Sequence, residues 1–433
     1  MATFWVTIQD NSRITDGFET GYLGWFRFLP REMKLFEAAF LVVLSIYGLF
    51  HIKFRSQLRM AAGLSLMVGA ASISAISNET ISYMAVFQGV FLYLGPFLFY
   101  LIAGTTDLRM KHMKFIFFFY TCLLFFNVAL ACSVQLPLYR APGDWIYGAF
   151  SDAHVFGSFI AIFSLVYFYL YLTKEGVRYL CMSFALLLFS YYPSNEKMML
   201  LNSIGIALFY FAHAINLRAP KRIIFGVAIL IALGLCSSRY IAELEAGEEG
   251  GVRIGQVLDL GFAEFGPIHA WSMAVSSVSD STMHFFFGVG PGRYGGIAAA
   301  RLMLEGGTPS AFSQQEFYQD LVSGENVAGA FMMRTNTWSN LLAEFGLLGF
   351  ILFFALLFQI VSAVNVTKVH TRFDATMKVF FYLLLVAALY QGLFTPYTNW
   401  EQTIIVYPMM TIAAYFSNRS LRHNKVARFS PPT

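Results

Sequence analysis

Five arginines are the basic residues of a stretch of about one hundred residues, 238–337, that separates two groups of apolar segments. They are Arg239, Arg253, Arg293, Arg301 and Arg334, and the stretch contains no lysine. A guanidinium stays charged when it loses water, and it binds phosphate through two parallel hydrogen bonds. An all-arginine set therefore favours a ligand that carries phosphate. The alternative is that some of these side chains pair with acids of the same stretch, and we expect Arg239 and Arg253 to be structural in that way.

A second polar cluster lies at 138–157, LYRAPGDWIYGAFSDAHVFG, between two apolar segments. Arg140 is a candidate phosphate contact in this cluster. His154 is a candidate general base or phosphate ligand, because the surroundings of a histidine can move its pKa across neutrality. The alternative is structural: Asp152 caps the following helix, and His154 is a hydrogen-bonded side chain at the membrane interface. The sequence leaves both interpretations open.

A third polar cluster, YYPSNEKMM at 191–199, interrupts an otherwise apolar stretch. Its polar residues form either part of a polar cavity or a tight turn between two helices. In a cavity, Lys197 faces the substrate as a point charge. In a turn, Lys197 pairs locally with Glu196, and the sequence does not decide between these interpretations.

A glycine-rich run, FFFGVGPGRYGG at 285–296, precedes the segment MMRTNTWSNLLAEFGLLGF at 332–350. Glycines let the backbone turn tightly and approach a ligand closely. No strand pattern precedes the run, so it does not match a dinucleotide-binding or P-loop motif. Arg334 and Asn336 lie at the start of a predicted helix, whose free N–H groups and positive dipole end form a site for an anion.

The composition indicates which elements position these clusters. The chain has 433 residues, of which 57% are hydrophobic and 12% are charged, whereas soluble domains average about 25% charged residues. We therefore predict an all-α polytopic membrane protein, because backbone polar groups in lipid must be satisfied within helices. Apolar runs of suitable length number about eleven, with ten to twelve as the range: 35–52, 58–76, 81–103, 114–133, 154–172, 179–193, 198–217, 222–237, 338–364, 378–394 and 402–417. Pro96 predicts a break in the third run, and the four cysteines, all in apolar runs, are predicted to be small buried residues.

Basic residues orient these runs. Eighteen lysines and arginines lie on one side of the predicted membrane, in the connections that follow every second run and at the carboxyl terminus. The positive-inside rule places that side in the cytoplasm, with the amino terminus outside. The predicted organisation is an extracytoplasmic segment at 1–33, transmembrane helices at 34–237, a large extracytoplasmic loop at 238–337, further transmembrane helices at 338–417 and a basic cytoplasmic tail at 418–433. Apolar residues recur at helical spacing from Ile254 to Ile268, which predicts an amphipathic helix in the loop. This helix either only stabilises the fold of the loop or binds a lipid carrier, and the sequence leaves both open.

Several motifs together resemble the O-antigen ligase and O-antigen polymerase superfamily. GVGPGRY and TNTWSNLLAEFGLLGF are similar to that family's G-x-G-x-G turn, His-Asn pair and E-x-G-x-x-G helix. The segment from Arg140 to Gly157 is similar to a second pattern of the family, R…G-x-F-x-D-x-x-x-x-G. In YYPSNEK, Lys197 stands where the family's Ser-x-x-Arg motif has an arginine. Thr335 replaces the histidine of the pair, and His269 stands near Trp271 where an arginine is frequent. The missing histidine favours a polymerase over a ligase.

The resemblance implies a C-type glycosyltransferase in the bacterial inner membrane, with its active site facing the periplasm. It polymerises undecaprenyl-pyrophosphate-linked oligosaccharides into O-antigen, capsule or exopolysaccharide, and it needs no metal or other cofactor. Its partners are the lipid-linked oligosaccharide, membrane lipid and a chain-length regulator, and no nucleic acid. We expect the catalytic residues to be Arg293, Arg334, Arg140 and His154. The substrate-binding residues are Lys197, Asn336, Asp152, Glu344 and Arg301. The acceptor base is open among His154, Asp152 and Glu344.

Three other functions remain open on the sequence. A ligase would move the glycan to a lipid acceptor. A flippase or other polysaccharide transporter would carry the lipid-linked sugar across the membrane, although transporters often contain internal repeats and we find no convincing repeat here. A non-catalytic membrane component of an export assembly is the third.

Overall fold

A computed structural model describes residues 55–77, 83–139, 146, 148, 153–173, 176–190, 266–295, 336–394 and 403–429. Within these ranges all regular structure is helical and no strand is present. Eight of the eleven predicted runs fall wholly or mostly on these residues, and each of the eight is a helix. The other three predicted runs, 35–52, 198–217 and 222–237, lie outside the described residues.

The helices fall into two compact units. The first unit contains α3 (Met110–Leu130), which continues as a π-helix (Ala131–Gln135), and then α4 (Leu136–Tyr139), α5 (Ala153–Leu172), α6 (Val177–Phe189) and most of α10 (Arg372–Phe394). The second unit contains α1 (Arg55–Ser77), α2 (Tyr83–Thr105), α7 (Gly266–Ser279), α8 (Thr282–Phe287), α9 (Thr337–Val366), the end of α10 and α11 (Thr403–Phe429).

Three stretches in the described part of the chain are long and apolar enough to cross a membrane: Gln57–Ile76, Met110–Gln135 and Thr337–Val366. Large apolar side chains on them face outward, including Leu66, Phe115 and Phe358 with 62%, 67% and 70% of their surface exposed. Leaving such a side chain in water rather than burying it costs about 1.5–3 kcal/mol. The outward faces of these helices are therefore suited to lipid.

The prediction that the cysteines are buried is wrong for Cys122, Cys132 and Cys181, which are free and exposed. In a soluble protein an apolar run must face the interior, but a helix in lipid carries apolar residues on its outer face as well. Cys236 lies outside the described residues.

Aromatic rings hold the first unit together. Phe117 of α3, Phe163 of α5 and Phe380 of α10 contact one another with ring centroids 5.4 to 6.0 Å apart. The Ser164 hydroxyl of α5 donates to the Ser183 carbonyl of α6 at 2.9 Å. These contacts pack α3, α5, α6 and α10 side by side.

In the second unit, α2 lies against both α9 and α11. Tyr93 and Phe97 of α2 contact Phe345 and Phe353 of α9 edge to face, at 5.3 and 5.1 Å between ring centroids. The Asn418 side chain of α11 donates to the Thr106 carbonyl at 2.9 Å, just beyond the end of α2.

Pro96 does not break α2, which runs from Tyr83 to Thr105 with this proline inside it. That prediction is therefore wrong. A proline inside a membrane helix is tolerated when its surroundings satisfy the carbonyl that loses its partner. The interruption in this unit occurs instead in α9, at Gly346.

The described part of the predicted loop, 266–295, is folded and contains α7 and α8. The predicted amphipathic helix falls mostly on residues outside the described ranges, and only its last residues overlap α7. The segment 1–33 also lies outside them. At the other end of the chain, α11 continues beyond the predicted span to Phe429, so most of the basic tail is helical.

Candidate functional site

The start of α9 is fixed by a capping box. The Asn336 side-chain oxygen accepts from the Ser339 main-chain N–H at 2.8 Å, and the Ser339 hydroxyl oxygen accepts from the Asn336 N–H at 3.1 Å. Each side chain thus satisfies a main-chain donor that a helix start would leave without a partner. Asn336, predicted to bind substrate, therefore has a structural role through its oxygen.

Between two and three turns further on, α9 is interrupted at Gly346, whose backbone angles are φ 65° and ψ −173°. A break of this kind frees carbonyl groups in the turn before it, because they lose the N–H donors of the next helical turn. Residues 288–295, the glycine loop, fill this gap. The Val289 N–H donates to the Ala343 carbonyl at 2.8 Å, and the Gly290 N–H donates to the Glu344 carbonyl at 3.2 Å. The loop thereby replaces the missing helical hydrogen bonds.

The glycine loop also surrounds the Glu344 side chain, which is 1% exposed. The main-chain N–H groups of Gly292, Tyr294 and Gly295 donate to its carboxyl group, with Tyr294 N at 3.4 Å from Oε1. Glu344 therefore binds the loop twice, through its carbonyl and through its side chain. This places a predicted site residue in a positioning role, and its direct contact with a substrate stays a prediction.

Only glycine fits at two of the points where the loop and α9 touch. Gly288 has φ 79°, and a Cβ there would lie closer than 3.0 Å to the main chain of Glu344 and Gly346. A Cβ on Gly346 would in turn meet the main chain of Phe286 and Gly288. From the other sides, the Ser74 hydroxyl of α1 donates to the Gly288 carbonyl at 2.7 Å, and α2 approaches Gly292 closely at Gly89. The loop is thus held between α1, α2 and α9.

Arg293 lies between two residues whose N–H groups bind Glu344. Its own N–H donates to the Gly290 carbonyl at 3.1 Å, which closes a turn. The guanidinium is half-buried, and burial lowers its pKa from the ordinary value. A charge with less water around it interacts more strongly with a nearby anion. The neighbouring Tyr294 hydroxyl is buried. Its pKa is raised mainly by burial and, to a lesser extent, by the Glu344 charge.

Asn336 caps α9, Asn340 and Glu344 follow it at intervals of four residues within the helix, and all three are buried. This spacing places them on one face of the helix. Asn336 Nδ2 and both amide atoms of Asn340 have no hydrogen-bond partner in the structure, within the part of the chain it describes. From Asn336 to Glu344 the helix rises about 12 Å. A polar stripe thus leads from the start of α9 to the glycine loop.

Of the nine predicted site residues, the second unit contains Arg293, Asn336 and Glu344, with Arg293 and Glu344 joined through the loop. His154 is near the start of α5, and the structure describes its backbone but not its side chain. The remaining predicted site residues also lie outside the described ranges: Arg140, Asp152, Lys197, Arg301 and Arg334. Sequence reasoning missed Asn340, although its spacing from Asn336 and Glu344 was a visible signal.

In the first unit, a second polar arrangement fixes Gly148, which lies between Arg140 and His154 in the sequence. The Gln135 side chain, 1% exposed at the end of the π-helix, forms two hydrogen bonds with Gly148. Gln135 Nε2 donates to the Gly148 carbonyl and Gly148 N–H donates to Gln135 Oε1, both at 2.8 Å. Gly148 has φ 60°, and a Cβ there would meet the Asn127 side chain. π-Helical turns occur frequently at functional sites.

Replacing Gln135 with leucine is expected to lower the free energy of unfolding by about 2 kcal/mol, because both Gly148 main-chain groups would stay buried without partners. Thermal unfolding of the detergent-solubilised protein measures this. Ser133→Ala is the matched control, since Ser133 is an exposed residue of the same π-helix, and it should leave the unfolding midpoint unchanged. Equal midpoints for the two variants would contradict an anchoring role for Gln135.

No protein-family model matches this chain, and no curated protein matches it significantly. Function must therefore be inferred from the residues themselves. The described site combines a half-buried arginine on a rigid loop, a buried carboxyl group that holds that loop, and a stripe of buried amides on the adjoining helix. This combination is suited to binding an anion and neutral polar groups together.

Proposed function

We propose that this protein is a polysaccharide polymerase, a membrane-embedded glycosyltransferase that joins oligosaccharide repeat units carried on undecaprenyl pyrophosphate. The observation that supports it best is the glycine loop, whose main chain bonds to α9 at the Gly346 break and around Glu344, with Arg293 between the bonded residues. Because the loop is fixed by main-chain hydrogen bonds, the backbone of Arg293 needs little reorganisation during the reaction. Preorganised charge of this kind stabilises developing negative charge effectively.

In the proposed reaction, a hydroxyl oxygen of one lipid-linked repeat unit attacks the anomeric carbon of the donor glycan. The new glycosidic bond forms as the bond from that carbon to the pyrophosphate oxygen breaks. The hydroxyl proton passes to a base, and undecaprenyl pyrophosphate leaves with the bonding electron pair. Arg293 contacts the departing pyrophosphate, whose charge grows during this step. Arg140 and Arg334 are further proposed contacts, and His154 or Asp152 is the proposed base, since the carboxyl group of Glu344 is occupied by the loop.

The membrane arrangement belongs to the same proposal. Eleven spans, an outer amino terminus and a periplasmic loop at 238–337 would place Arg293 and the start of α9 at the periplasmic side of the inner membrane. The distribution of lysine and arginine among the short connections supports this orientation. A chain-length regulator is a proposed partner, and lipid-linked oligosaccharide is the proposed substrate.

The test is a deletion strain combined with reconstitution. Without the protein, single lipid-linked repeat units are expected to accumulate on the periplasmic face, and the ladder of glycan chain lengths is expected to disappear. Purified protein in proteoliposomes should convert the isolated units to polymer and release one undecaprenyl pyrophosphate for each bond formed. Accumulation on the cytoplasmic face would instead identify a flippase. Full-length polymer that is not transferred to its lipid acceptor would identify a ligase.

A further inference from the structure

The Asn340 amide is a buried polar group in the middle of the stripe on α9. The side chain is 0% exposed, and neither Nδ2 nor Oδ1 has a hydrogen-bond partner within the described structure. A buried amide without partners costs about 1–3 kcal/mol. Leucine has a similar shape and would avoid this cost, so packing alone does not account for an amide here. The amide is therefore explained by something that binds to it.

A second amide lies one turn earlier on the same face of α9. The Asn336 oxygen is engaged in the capping box, whereas its Nδ2 is buried with no partner among the described residues. Asn336 is the cap residue of α9, and Asn340 lies about one helical turn, roughly 5.4 Å, further along the axis. The two side chains therefore offer two N–H₂ donors and one carbonyl acceptor within a short distance, none of them charged.

This set of groups discriminates between ligand classes. A phosphate accepts hydrogen bonds but would leave the Asn340 oxygen without a donor. A metal cation would leave both N–H₂ groups unsatisfied. A sugar hydroxyl donates and accepts at once, so neighbouring hydroxyl groups on a ring can satisfy all three groups. Both amides are shielded from bulk water, so water competes little for these hydrogen bonds.

We propose that Asn340, together with Asn336 Nδ2, forms a subsite that binds hydroxyl groups of the glycan. This rests on the proposed function and assigns its parts: Arg293 binds the pyrophosphate, and the amides recognise the sugar, with Asn340 one helical turn before Glu344, where the loop is bound. Asn340 is in this role a specificity-determining residue, because an amide held in place rejects a sugar that lacks the matching hydroxyl.

The proposal has a consequence for stability that a structural role would not have. If the amide serves the ligand, then Asn340→Leu removes an unsatisfied polar group from the empty protein and raises its thermal midpoint. The same variant weakens the interaction with the glycan. If Asn340 instead stabilises the fold, leucine lowers the midpoint.

The experiment measures thermal unfolding of the full-length protein in detergent, with and without lipid-linked repeat units isolated from the deletion strain. Bound ligand raises the midpoint of the folded protein. We expect Asn340→Leu to unfold at a higher temperature than wild type without the repeat unit. It should also need at least ten times more repeat unit for half of the ligand-induced rise. Asn365→Leu is the matched control, since Asn365 is exposed near the far end of the same helix, and its response to the repeat unit should equal that of wild type.

Two results would overturn the subsite. One is a lower midpoint for Asn340→Leu without ligand, which would make the residue structural. The other is an unchanged response to the repeat unit, which would leave a buried water as the only occupant of the amides. Neither depends on turnover. If wild type binds the repeat unit through Asn340 but makes no polymer, the polymerase assignment fails while the sugar subsite stands.

Discussion

Arg293→Ala is expected to lower the rate of glycan polymerisation about 100-fold, because removing one preorganised group that stabilises charge in a transition state has an effect of that size. The loop itself should survive, since Val289, Gly290 and Tyr294 bond to α9 through their main-chain N–H groups, which the substitution leaves in place. The measurement is the initial rate of undecaprenyl pyrophosphate release in proteoliposomes, together with the thermal midpoint of each variant.

Arg293→Lys separates charge from geometry. Lysine keeps the positive charge but loses the planar fork that binds phosphate through two hydrogen bonds. We expect a rate between those of wild type and Arg293→Ala. Arg109→Ala is the matched control, because Arg109 is exposed and pairs with Asp107 at 2.8 Å in the connection between α2 and α3. A wild-type rate for Arg293→Ala would remove Arg293 from the reaction, and an equal loss for Arg109→Ala would show that the assay reports folding.

Gly288→Ala is expected to lower the free energy of unfolding by about 3 kcal/mol, from a left-handed backbone angle and from overpacking. The added methyl group would collide with the main chain of Glu344, where the loop enters the break in α9. Neither the main chain of the loop nor that of α9 can move aside without losing the hydrogen bonds that join them and that position Arg293. We therefore expect polymerisation to be lost even at temperatures where the variant stays folded.

Two control glycines divide this effect into its parts. Gly176 has φ 117°, and no atom lies within 4 Å of the position that an alanine methyl group would take, so Gly176→Ala adds backbone strain without a collision. Gly69 lies within α1 and also has open space around it, so Gly69→Ala should stabilise the helix by about 1 kcal/mol. The expected order of thermal midpoints is Gly69→Ala, wild type, Gly176→Ala and Gly288→Ala, from highest to lowest. A Gly288→Ala midpoint equal to that of Gly176→Ala would disprove the close contact between the loop and α9.

The sequence predicted the helices well because their cause is local. A long apolar run in lipid must satisfy its own main-chain groups, and only a helix does this within a single segment. The start of α9 is equally local, since Asn336 and Ser339 are three residues apart and cap the same turn. The stripe of Asn336, Asn340 and Glu344 could also be predicted, because helical spacing alone places these residues on one face.

The tertiary structure decided what those residues contact. Glu344 and Tyr294 are fifty residues apart in the chain, and no periodicity predicts that the glycine loop would bond to the break in α9. The break itself occurs at Gly346 and not at Pro96, because the loop supplies donors for the freed carbonyls at Gly346. Local chemistry thus determined the helices and their polar faces. Long-range hydrogen bonding decided which loop, and with it which arginine, lies beside α9. Such bonds depend on where distant segments of the chain meet, which local sequence does not determine.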